Sequence, residues 1–259
     1  MSHPTDPHLA DSAGQPWKGR HFAAHDTSHD TDDGTAPPRL LAALTSFASG
    51  EAGQAQVVDA LRDARLLVPL VAHAGEEGMT DAGLRVDKTQ ELSLVTVAGP
   101  DGRTVLPAFT SVEALTRWNP AARPIPVEAR RVALAAASEG TEIVVLDPAS
   151  PTEFALRRPL VWALAQGEPW VPALNDPAVA DAFELSVADE LVVAGLRLVS
   201  GDPHARLAGA ELVVVLALVP GLDQQALSAL LARLQQRWSE HPLIAERVDS
   251  LSVRLTAVG

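Results

Sequence analysis

Three groups of residues in this chain have the types and spacing to do chemistry. His21, His25 and His29 recur every four residues, so a helix would align three imidazoles on one face, where a metal ion could use them. Ser200, Asp202 and His204 lie together and offer a nucleophile, an acid and a base. Arg157-Arg158 and Arg130-Arg131 could clamp a carboxylate or phosphate through paired N–H donors. Each group also has a plainer reading. Asp26, Asp30, Asp32, Asp33 and Gly34 oppose a stable helix around the histidines. The Ser200–His204 stretch has turn composition, whereas a nucleophile and its base need a rigid scaffold. The arginines have acids nearby for surface ion pairs. Glu76-Glu77 and Asp189-Glu190 are paired acids, but neighbours on an extended chain point apart, so both pairs read as solvated surface. His73 and His241 are isolated and read as loop or partly buried histidines.

Other reaction signatures are missing from the sequence. There is no Gly-x-Ser-x-Gly elbow, no phosphate-binding loop and no Gly-x-Gly-x-x-Gly turn. With no cysteine, thiolate catalysis, disulfides and Cys-ligated metals are excluded. No catalytic residue, metal or cofactor is therefore expected. The net charge of −13 is spread over residues 1–38, 39–178 and 179–259, at −4, −5 and −4, which argues against nucleic acid as a partner. The longest apolar run, Leu212 to Val219, is far shorter than the roughly 20 residues that cross a bilayer. The start Met1-Ser2-His3-Pro4 lacks the basic and apolar regions of a secretory signal, so cytoplasmic residence is the expectation.

Aromatic residues are few, with five Phe, five Trp and no Tyr, and several gather in one region. Phe109 and Trp162 read as core. Trp118, at a helix end before Asn119-Pro120, and Trp170, between prolines, are placed for a groove or a domain contact. In the segment from Leu106 to Trp118 a strand is expected to break at Pro107 and pass into a helix. Thr110 and Glu113 are spaced for a capping box at its start, with Ser111 beside them.

The elements that must position these residues follow from periodicity. Residues 1–38 mix Pro, Gly, Asp, Ser and Thr with few aliphatics and read as a disordered tail. Val57, Val58, Leu61 and Ala64 mark a helix from Gln54 to Arg65, which feeds a strand over Leu66–Ala72 whose Pro69 favours an edge or a bulge. Residues 75–87 read as a solvated loop. Strands around Leu92–Val97 and Arg103–Leu106 meet across Gly99-Pro100-Asp101-Gly102, a hairpin turn. Residues 119–126 hold three prolines and read as neither helix nor central strand.

A helix over Val127–Ser138 stopped by Gly140, strands at Ile143–Leu146 and Phe154–Leu156, and a helix from Pro159 to Gly167 complete a first domain. Pro169 to Pro177 reads as an extended linker. Strands at Leu191–Val199 and Glu211–Val219, a helix capped by Asp223 and running to Trp238, and a half-buried strand over Leu251–Ala257 make the second domain. The expected fold class is α+β (mixed α/β): two small domains, 39–178 and 179–259, with mixed or antiparallel sheets and flanking helices, after the tail over 1–38.

Laid out this way, the chain resembles the SseB family of bacterial proteins in its two-domain actinobacterial form. The resemblance rests on Leu61 to Pro69, on Leu94-Val95-Thr96 with Gly99 to Arg103, and on Pro107 to Pro124. It continues through Leu146-Asp147-Pro148, Leu156 to Pro159, Trp162 to Gly167 and Pro169 to Pro172. Residues 54–178 resemble the family's N-terminal domain, and 183–259 its C-terminal domain. The resemblance implies relatives and a fold but supplies no catalytic residues and no cofactor. The expected function is that of a non-catalytic cytosolic adaptor or regulatory protein with a protein partner, and a homo-oligomer is compatible with the sequence. Binding candidates are Phe109, Thr110, Ser111, Trp118, Trp162, Trp170 and Arg157. The alternatives are a sensor for an amino-acid-like metabolite using the Phe154–Arg158 strand, and an enzyme of unrecognised type.

Overall fold

The computed structural model describes residues 32–70, 77–79, 85–87 and 95–257. The disordered-tail expectation for most of 1–38, the histidine triplet, and the readings of His73, Leu92 and Leu94 lie outside them. Gly34–Gly259 forms one compact unit. At the end of the expected tail, the Gly34 carbonyl accepts from Val112 N–H (2.9 Å), and the Thr35 carbonyl accepts from Arg65 Nη2 (2.8 Å).

Helix α1 (Pro38–Ala48), which periodicity did not suggest, buries Leu40 and Leu44. α2 (Gln54–Leu61) is shorter than expected, because Arg65 already opens β1 (Arg65–Leu70). β2 (Glu77–Met79) and β3 (Arg85–Asp87) pair antiparallel within the stretch expected to be a solvated loop. β4 (Val97–Ala98) and β5 (Thr104–Ala108) form the expected hairpin, with Gly102 at φ 82° in its turn. The strand does not break at Pro107, which pairs in register with Val145, and β5 runs on to Ala108 before α3 (Val112–Trp118).

The proline-rich stretch supplies a strand after all: β6 (Arg123–Glu128) runs antiparallel to β1. The pairing explains why its prolines are tolerated. Leu67 exchanges both backbone bonds with Phe109 (2.7 and 2.8 Å), so its polar groups face away from β6. Pro126, opposite Leu67, and Pro124, opposite Pro69, therefore occupy positions where no ladder donor is required, and their missing N–H groups face the sheet's open edge.

α4 (Ala129–Ser138), β7 (Val144–Leu146), β8 (Phe154–Leu156) and α5 (Arg158–Gln166) follow as the sequence indicated, and Gly167 caps α5 at φ 75°. The main sheet has the order β4-β5-β7-β8, with β5 and β7 parallel and the other pairs antiparallel. Alternate residues divide between its faces. Leu106, Val144, Leu146 and Leu156 join α1, α2, α4 and α5 in the first core, while Val105, Val145 and Ala155 form a smaller cluster beneath Leu207.

Beyond a 3₁₀ turn at Ala173–Asn175, α6 (Pro177–Val187), capped by Asp176, stands where no helix was expected. The second sheet is ordered β11-β10-β9. β9 (Val193–Ser200) is antiparallel to β10 (Leu212–Leu218), and β11 (Leu251–Ala257) is parallel to it after α7 (Gln224–Glu240) and α8 (Pro242–Arg247). Asp223 caps α7 by accepting from Ala226 N–H (2.7 Å). Leu212, Val214 and Leu216 alternate into a second core with Phe183, Leu234 and Trp238. β11 is more exposed than a half-buried strand: Val253 and Leu255 share the core face in register with Val214 and Leu216, yet this edge strand leaves them 38% and 39% exposed. Among the described residues no helix is long and apolar enough to cross a membrane. The architecture is α+β, with mixed and antiparallel sheets.

Candidate functional site

The β5–α3 junction holds four of the binding candidates. Phe109 is fully buried, bonded to Leu67 through its backbone, and its ring lies 5.3 Å from that of Trp118. Trp118 is half-buried and packs with Leu67, Leu115 and Ala122. Thr110 does not cap the helix. Its N–H donates to Asp147 Oδ1 (2.8 Å) and its Oγ1 donates to Oδ2 (2.7 Å), joining the end of β5 to the end of β7. The cap is Ser111, whose Oγ accepts from Ala114 N–H (3.1 Å), and Glu113 pairs with Arg117 one turn on. The capping box is absent because the Asp147 carboxylate is the stronger partner for a buried threonine. Burial pushes the Asp147 carboxyl above its ordinary range, opposed by the bonds from Thr110. These contacts hold two parallel strands and a helix together, and they occupy the polar groups of Thr110 and Ser111.

Arg157 lies between the two cores, not on an open clamp. It is 7% exposed; Nη2 donates to Asp202 Oδ2 (2.6 Å) and the Gly209 carbonyl (2.8 Å), and Nη1 donates to Asp249 Oδ2 (3.0 Å) and Ser250 Oγ (3.1 Å). Arg103 grips the same Asp249 with two bonds of 3.0 Å. Asp202 also accepts from the N–H groups of Arg206 and Leu207, folding the 200–211 loop back so that the Ala205 carbonyl accepts from Ala155 N–H on β8 (2.6 Å). Ala205 and Leu207 sit at positive φ, 49° and 57°, a strain held by their burial. A Cβ on Gly201 would come within 2.2 Å of the Ala210 carbonyl, so only glycine closes this loop. The nucleophile–acid–base reading fails here, since Asp202 is committed to Arg157 and His204 is exposed.

Glu211, beside Arg157, makes this seam sensitive to pH. Its Oε2 accepts from Asp249 N–H (2.6 Å), and burial, with Asp249's charge adding to it, pushes its carboxyl up to about 6 from 4.5. A carboxyl raised on folding contributes stability below its unfolded value, and that contribution is lost as pH rises through about 6. Asp249 works in the opposite direction: burial raises it, but the Arg103 and Arg157 bonds outweigh this and hold it low, so its contribution is lost on acidification. Glu211→Gln keeps an acceptor for Asp249 N–H. It is expected to exceed wild type in urea stability by up to about 2 kcal/mol at pH near 7.5, with the difference vanishing near pH 4. An equal difference at both pH values would sink this assignment.

Trp162 and Trp170 both line a groove of about 520 Å³ between α5, the Glu168–Val171 arm and α8. Trp162, expected in the core, is 43% exposed because it falls opposite Val161 and Leu164, which carry α5's buried stripe. Trp170 is half-buried against the first core. The groove's two guanidinium groups are engaged. Arg158 Nη2 donates to the carbonyls of Ala245 (2.6 Å) and Val248 (2.8 Å), and Arg247 donates to Asp176 (2.8 Å), the acid that caps α6. Glu168 and Glu246 line the same groove, and neither side chain has an ion pair or hydrogen bond among the described residues.

Residues 40–163 match the family model described as the SseB protein N-terminal domain. The matched region is similar to the SseB family and covers just under half of the chain. No curated protein and no solved structure matches it. The SseB match begins in α1 and ends within α5, so it takes in the β5–α3 junction, Arg157 and Trp162, while Trp170, α8 and the second core lie beyond it. Among the described residues, no group of three His, Asp or Glu is arranged to hold a metal ion.

Some of what matters in the SseB domain and its neighbour was not read from the sequence. Asp147 and Asp249 gave no signal, because each acts on a residue far away in the chain. Glu190, read as solvated, is buried and paired with Arg233 and Arg237, and the bond from Arg233 holds its carboxyl below the ordinary range. The spacing of Glu190 to an α7 face carrying arginines four residues apart was a usable hint.

Proposed function

We propose that this protein is a non-catalytic cytoplasmic adaptor or regulatory protein that holds a protein partner in the Trp162/Trp170 groove. One observation carries the reading: a large aromatic side chain, Trp162, stands exposed on a helix and lines a concave surface together with a second tryptophan, Trp170. Exposed tryptophans in concave, preformed surfaces are the residues that anchor interfaces. Arg157 does not serve an amino-acid sensor in the manner first expected, because its donors are already bonded to Asp202, Gly209 and Asp249. A metabolite reading draws support from the groove instead, whose volume lies in the range of small-molecule pockets.

The test compares proteins captured from the native host by wild type and by Trp162→Ala, whose exposed position leaves folding intact. Partners specific to the wild type are expected to disappear with the variant. Identical capture by both would remove the groove from the account. Calorimetry with amino acids and nucleotides at millimolar concentration separates the metabolite reading, which requires heat that Trp162→Ala abolishes.

A further inference from the structure

We propose that the groove's occupant is an extended segment of a protein partner bearing arginine or lysine side chains. The inference rests on the groove being the binding site, and it adds the chemistry of the ligand. Two tryptophans line the groove, and a guanidinium over an indole is the most favourable cation–π pairing. The charges in the groove point the same way. Arg247 is paired with Asp176 and Arg158 is bonded to two carbonyls, so both guanidinium groups are already engaged within the protein. Glu168 and Glu246 make no salt bridge or side-chain hydrogen bond among the described residues, and Glu246 acts on the neighbouring Arg247 only through its charge. An incoming ligand therefore meets two tryptophans and three carboxylates, those of Glu168, Asp176 and Glu246, set against two guanidinium groups, a local excess of negative charge. An anionic ligand would be repelled by those carboxylates and could reach the arginines only by breaking their present bonds.

The surroundings favour the same partner. The chain carries −13, so a basic segment is drawn toward the surface before it finds the groove. The volume of about 520 Å³ suits a few side chains of an extended peptide and is too small for a folded domain to enter. Pro169 and Pro172 flank Trp170 and fix the arm's backbone, so the groove is formed in advance and little order must be gained on binding.

The experiment titrates the full chain into three fluorescein-labelled peptides of alanine and glycine that differ only at two alternate positions, occupied by arginine, glutamine or glutamate. Anisotropy is expected to show the arginine peptide binding at least about ten-fold more tightly than the glutamine peptide, with the glutamate peptide weaker still. Trp162→Ala and the double variant Glu168→Gln/Glu246→Gln should each weaken the arginine peptide several-fold, with thermal midpoints as in wild type. Equal affinity of the arginine peptide for wild type and the double glutamine variant would mean attraction to the acidic surface at large, and would overturn the proposal. So would a preference for the glutamate peptide, or no binding of the arginine peptide at millimolar protein. If the glutamine peptide binds as well as the arginine peptide and Trp162→Ala abolishes both, the cationic preference falls while the groove stands as the binding site. If partner capture is also indifferent to Trp162→Ala, both readings fall.

Discussion

Arg157→Met is expected to lower the free energy of unfolding by about 3–5 kcal/mol, measured by urea denaturation at neutral pH. The side chain is nearly as long, so packing is largely kept. What is lost is the positive charge between Asp202, 2% exposed at its side chain, and Asp249, 1% exposed. Removing one member of a buried ionic group leaves the other charges desolvated and uncompensated, which costs more than the pairing contributes. Asp249 keeps Arg103, so the larger penalty falls on Asp202, whose backbone donors cannot neutralise it. Arg103→Met should cost clearly less, because Arg103 is 39% exposed at its side chain and leaves Asp249 bonded to Arg157. Arg157→Lys should fall between the two, since one ammonium cannot bond Asp202, Gly209, Asp249 and Ser250 in the planar fork that arginine provides. A loss below about 1 kcal/mol for Arg157→Met would show that the seam does not bind the two cores together.

Phe109→Ala is expected to destabilise by about 3–5 kcal/mol, with no change in partner binding once the variant is folded. The ring is fully buried in a small cluster with Leu67, Leu115 and Ala122, and its removal leaves a cavity bordered by backbone that is held in place by bonds on both sides. Leu67 and Phe109 exchange the bonds that join the β1-β6 pair to the main sheet, so the surroundings cannot collapse inward without breaking them. Trp118, half-buried at the end of α3, should cost less when replaced by alanine. The discriminating outcome is in the binding arm. Loss of peptide affinity in a folded Phe109→Ala or Trp118→Ala protein would place the ligand at the β5–α3 junction and not at the Trp162/Trp170 groove.

Local signals carried much of the fold. The hairpin through Asp101-Gly102, the Pro159 start and Gly167 stop of α5, the Asp223 cap of α7 and the two long strands β9 and β10 were legible because each depends on the φ preference or hydrogen-bonding habit of one or two residues. β6 was missed for the complementary reason: proline argues against a strand, and only the pairing of Leu67 with Phe109 reveals that its ladder requires no donor at residues 124 and 126. Helices α1 and α6 were missed where short apolar stretches lie next to prolines, which mark a loop or a helix start equally well.

The sequence by itself determined the α+β class, the acidic surface, the family resemblance and the short supply of aromatic residues from which a binding surface could be made. Only the tertiary structure decided which of those residues are available. Trp162 and Phe109 are both large aromatics beside aliphatic runs, yet one is exposed and the other buried, because burial depends on which element packs against each face and not on the residue. Arg157 and Asp147 illustrate the same limit for charge. Their partners are 92 and 37 residues away, a separation that composition and spacing cannot encode and that folding brings to hydrogen-bond distance.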